Sequence, residues 1–139
     1  MTLIDVVNNF KDIAIQQHNI NYVGDGDIYS LNNLPNLDYG VFYVTQTNHT
    51  QSEDTISYTL TLFYVDRLFT DHSNRLQIQS NAIITLANII NIFAETYDVE
   101  VGYDINYTTF IQRFTDECSG AFCNVTITVD NNIGLCGYR

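Results

Sequence analysis

Apolar residues recur at three different spacings along this chain, and each spacing predicts a different element. Leu3, Val6, Val7, Phe10, Ile13 and Ala14 fall at three- and four-residue steps. That is one face of an amphipathic helix from about Thr2 to His18. Thr2 is placed to cap it, and Asp5 stands where the helix dipole favours a carboxylate. Gly24 and Gly26 then mark a turn or an irregular strand start, and 27–30 reads as a short strand. Asn32 to Asn36 forms a loop around Pro35, the only proline. Tyr39 to Gln46 is apolar on both faces, as in a central strand. In Thr55 to Asp66 the alternation is clean: Ile56, Tyr58, Leu60, Leu62 and Tyr64 share one face. Ser57, Thr59 and Thr61 share the other, with Phe63 and Val65 continuing it. A polar connector, Thr47 to Asp54, makes these two strands a long antiparallel hairpin with a solvated tip.

Ser73 or Asn74 is placed to cap a long helix ending near Tyr97. Its main stripe is Leu76, Ile83, Leu86, Ala87, Ile90, Phe93 and Ala94, widened by Ile78, Ile84, Ile89 and Ile92. So wide an apolar face needs a sheet against it, and its excess is available to another subunit. Val99, Val101, Tyr103, Ile105 and Tyr107 then alternate as a strand that 110–114 extends past a bulge. After a turn at Cys118-Ser119-Gly120, a final strand alternates Cys123, Val125, Ile127 and Val129 with Asn124, Thr126 and Thr128. Asn131 to Gly134 leads into a tail, Leu135 to Arg139. The predicted order is α-β-β-β-α-β-β: a single α+β domain over 1–139, with an antiparallel sheet of about five strands and two helices on one face.

Composition narrows the function. The 139 residues are 45% hydrophobic and 13% aromatic, enough for a packed core, but only 15% charged. Sixteen acidic residues against five Lys and Arg give a net charge of −11. The five cations (Lys11, Arg67, Arg75, Arg113 and Arg139) are scattered, so they form no phosphate-gripping patch. The opening residues lack the basic and apolar regions of a secretory signal, and the apolar run Ile83 to Phe93 is interrupted by Thr85, Asn88 and Asn91. A soluble protein made in the cytoplasm is expected, with no membrane partner. Cys118, Cys123 and Cys136 are then expected as reduced thiols, the first two facing each other across their turn. No zinc set is expected, because the histidines are not spaced as ligands to them. The sequons at Asn48, Asn106 and Asn124 have no secretory route to use.

Chemistry-bearing motifs are sparse. Neither a nucleophile elbow, nor a Cys-His signature, nor a phosphate-cradling glycine loop is present. Gly24-Asp25-Gly26-Asp27 is too short for a dinucleotide fingerprint and lacks the later ligands of a calcium loop. His72 lies in a capping segment, and the acid pairs Glu53-Asp54 and Asp116-Glu117 flank solvated turns, which reads them as solvated charges and not as a general-acid pair. No catalytic residue, metal or cofactor is expected.

The order of elements, the polar-tipped hairpin and the acidic, lysine-poor composition resemble the small tail-terminator and head–tail completion proteins of tailed bacteriophages. The stretches Tyr22-Val23-Gly24-Asp25-Gly26-Asp27-Ile28-Tyr29 and Leu37-Asp38-Tyr39-Gly40-Val41-Phe42-Tyr43-Val44-Thr45-Gln46 resemble short virion proteins of crAss-like phages of Bacteroides. The resemblance implies a non-enzymatic virion protein, made in the host cytoplasm, that forms part of a homo-oligomeric ring at the head–tail junction. Its partners would be portal, neck and tail proteins, with DNA sliding through an acidic lumen that does not bind it. Contact residues are expected at the hairpin and the tail: Thr47, Asn48, His49, Glu53, Tyr58, Tyr64, Leu135 and Tyr138. The alternative from the residues alone is a small α+β module that binds a ligand or a protein without catalysis.

Overall fold

The computed structural model describes residues 1–27, 39–102, 104–113 and 117–130. It is an α+β structure: two helices lie against a six-stranded mixed sheet. In chain order the elements are α1 (Leu3–Ile15), β1 (Tyr22–Asp25), β2 (Val41–Gln51), β3 (Thr55–Arg67), α2 (Arg75–Thr96), β4 (Glu100–Val101), β5 (Tyr107–Arg113) and β6 (Glu117–Asp130). Across the sheet the order is β1-β2-β3-β6, with β4 and β5 both pairing with the far side of β6.

The helix α1 forms as its periodicity predicts. Thr2 and Asp5 close a reciprocal capping box, Asp5 N–H donating to Thr2 Oγ1 and Thr2 N–H to Asp5 Oδ2. The Thr2 backbone N–H first, and the Thr2 side chain second, hydrogen-bond the Asp5 carboxylate and lower its pKa. Val6, Val7, Phe10, Ile13 and Ala14 are its buried face. In α2 the inward set differs from the expected stripe. Ile78, Ala82, Leu86, Ile89, Ile90 and Phe93 are buried, whereas Leu76 is 70% exposed. Asn74 sits at the cap position, but its side chain turns back to the preceding loop. Its Oδ1 accepts from Phe69 N–H and its Nδ2 donates to the Arg67 carbonyl, so it orders the β3–α2 link and leaves the helix without a side-chain cap.

The sheet is built on β3 and β6, which pair in unbroken register from Thr55↔Asp130 to Arg67↔Cys118. Tyr58, Leu60, Leu62 and Tyr64 of β3 and Ala121, Cys123, Val125, Ile127 and Val129 of β6 face the helices and form the main core with them. Phe10 and Phe93 stack at 4.1 Å between ring centres and close the contact between α1 and α2. On the opposite face lies a ladder of hydroxyls and an amide: Ser57 with Thr128 at 3.0 Å, Thr59 with Thr126 at 3.2 Å, Thr61 with Asn124 at 2.6 Å. Towards the other end this face becomes apolar, with Val41, Tyr43, Val65 and Cys118 buried in a second, smaller cluster.

Four expectations are corrected. The sheet is mixed, because β1 runs parallel to β2. Residues 26–40 separate these strands, a link of the length a parallel return requires. The strand before the hairpin is Tyr22–Asp25, ending at Gly26 with φ +132°, while 28–30 and the Pro35 loop lie outside the described residues. The single strand expected over 99–107 is two. From Val101 to Tyr107 the chain advances six residues while β6 advances four between their partners Ile127 and Cys123, so two residues loop out between β4 and β5. Finally, Cys118-Ser119-Gly120 is no turn. All three residues lie inside β6. Consequently Cys118 and Cys123, five positions apart on one strand, point to opposite faces and join different clusters.

The reason for glycine at 120 is therefore close approach between strands, with ordinary φ. A Cβ there would overlap the Tyr64 carbonyl oxygen of β3, whose backbone cannot give way without breaking the ladder. Gly120→Val should cost about 3 kcal/mol or more, the upper end for overpacking, and lower Tm by roughly 10 °C. A thermal melt unchanged from the parent would refute this packing.

Candidate functional site

The expected contact residues divide into three groups. Thr47, Asn48, His49 and Glu53 are brought together at the distal end of the β2–β3 hairpin, all of them exposed. Tyr58 and Tyr64 are 9% and 2% exposed and face the helices, so they belong to the core and are withdrawn from the contact surface. Leu135 and Tyr138 lie outside the described residues, as does Cys136.

The hairpin end has a defined construction. Val41 to Val44 are buried, flanked by β1 and β3. β1 stops at the partner of Val44, and from Gln46 onward β2 is exposed. Among the described residues its outer edge has no neighbouring strand there. At this change the register with β3 shifts by one residue at Thr47, a bulge that the Thr47 hydroxyl stabilises by donating to the Thr59 carbonyl at 2.8 Å. The His49 ring meets the edge of Tyr58 at 5.5 Å, and its Nε2 lies 3.3 Å from Gln46 Oε1. The tip closes with Ser52 N–H donating to the Thr55 carbonyl. The distal β2 strand thus presents Gln46, Thr47, Asn48, His49, Thr50 and Gln51: polar and uncharged apart from the histidine, with carboxylates only at the tip.

Among the described residues a second open edge belongs to β5, which pairs with β6 on one side. Ile111 there is 48% exposed. Among the described residues the sheet thus ends in two unlike edges, β1 with the distal half of β2 on one side and β4 with β5 on the other.

Inside, polar contacts tie the layers together. Asn19, in the loop after α1, donates to Thr85 Oγ1 of α2 at 2.8 Å and hydrogen-bonds the Tyr64 hydroxyl. Gly40 fits beneath that hydroxyl, which would stand 2.7 Å from a Cβ. Gln79 Nε2 donates to Ser119 Oγ, which donates to the Phe110 carbonyl, linking α2 to β6 and β5. Each of these groups is hydrogen-bonded within the protein. Lys11 pairs with Asp25 at 2.8 Å, so one carboxylate of the Gly24–Asp27 segment is engaged by α1. No three His, Cys, Asp or Glu side chains among the described residues are grouped to hold a metal ion. A groove between 98–100 and the end of β6 holds Asp98, Glu100 and Asp130 around Val99 and Val129, open to solvent. His72, with φ 59°, sits in the turn before α2, where its N–H bonds the Phe69 carbonyl.

No protein-family model matches this sequence, and no curated protein is similar to it.

Burial raises the pKa of Tyr43 and Tyr107, and more strongly that of two further acids of the core. Tyr64 is pushed up to about 12, by desolvation first and the nearby Asp66 carboxylate second, and Cys123 to about 12 by desolvation. Both hold their protons more tightly folded than unfolded, so their stabilisation is complete below the unfolded values and is lost as pH rises through the folded ones. Denaturant midpoints should be flat to about pH 9 and fall between about pH 9 and 12. Tyr64→Phe should make the fall shallower above pH 10. An equal slope in that variant would show that Tyr64 titrates as if exposed.

Proposed function

We propose that this chain is a non-enzymatic structural protein that works by docking against copies of itself and against other proteins, as one component of a ring at the head–tail junction of a tailed bacteriophage. The observation that carries the reading is the pair of unlike sheet edges. An edge strand offers a row of backbone donors and acceptors to another chain. When the two edges of a sheet differ, a contact between them is head-to-tail, and such contacts close into a ring when the rotation per copy divides a full turn. The right-handed twist of a sheet supplies a rotation of this kind at every step. The bulged, nearly uncharged end of β2 is one participant and β5 the other. The element order and the polar-tipped hairpin that resemble tail-terminator proteins agree with this use.

The acidic composition supports the same role. A ring at that junction surrounds a DNA passage, and a wall bearing carboxylates repels phosphate and keeps the strand moving. The hairpin tip, with Glu53 and Asp54 exposed, is the part that reaches the next layer of a stack.

Immunogold electron microscopy of purified phage particles whose genome encodes this chain tests the proposal. Label at the neck between head and tail is the expected result. Particles in which mass spectrometry finds no peptide of this sequence would overturn it.

A further inference from the structure

No further inference is drawn: the strongest candidate, the notch between the end of β1 and the distal edge of β2 lined by Gly26, Asp27, Thr45 and Gln46, belongs to the site already described, and nothing in the structure shows what fills it.

Discussion

The unbroken pairing of β3 with β6 is the constraint on which the rest of the molecule depends. Because side chains alternate across a strand, one register sorts two strands at once into an aliphatic face and a hydroxyl face. Sliding either strand by one residue would place Thr59 and Thr61 against the helices and Leu60 and Leu62 in water. The register is thus held by burial on one side and by the Ser57–Thr128, Thr59–Thr126 and Thr61–Asn124 bonds on the other. Gly120 belongs to the same constraint, since only a residue without a Cβ lets β6 continue past Tyr64 without bending away.

Everything else is fitted to that pair. Its aliphatic face is covered by α2, which reaches the strands through Gln79 and Ser119 as well as through its apolar side chains. α1 completes the cover by stacking Phe10 on Phe93 and by ordering Asn19 against Thr85 and Tyr64. With β1 and β2 added on one side and β4 and β5 on the other, the sheet is wide enough for its core and still has ends. Among the described residues this leaves outside the outer side of β1, the distal half of β2, the edge of β5 and the far side of α2.

Much of this was legible in the sequence wherever periodicity and burial agree. The Thr2 cap of α1, its buried face, the long hairpin and the two-faced pattern of 55–66 follow from residue spacing alone. The errors came where a residue has more than one physical use. Gly120 and Ser119 read as a turn because glycine and serine favour turns, yet here they are small residues under a close strand and a buried glutamine. Tyr58 and Tyr64 read as contact residues because tyrosine is common at interfaces, but the alternation puts them on the same face of β3 as Leu60 and Leu62, the face the helices cover. Leu76 joined the apolar stripe of α2 on its hydrophobicity, although the helix winds it away from the sheet. The eight-residue spacing of Leu76, Ile84 and Ile92 was the available signal that these are a separate ridge. The parallel return of β1 left no local mark, because the direction of a strand is decided by where a long connection ends.

The proposed edge contacts between β2 and β5 would lie in the plane of the sheet and propagate around an axis, with the helical layer to one side of it. The two strips they would use, Gln46 to Gln51 and Tyr107 to Arg113, carry no carboxylate, although half of the sixteen acids sit within other helices and strands. In a chain of charge −11, copies that met along these strips would therefore approach against the least repulsion, and the charge elsewhere would disfavour other orientations.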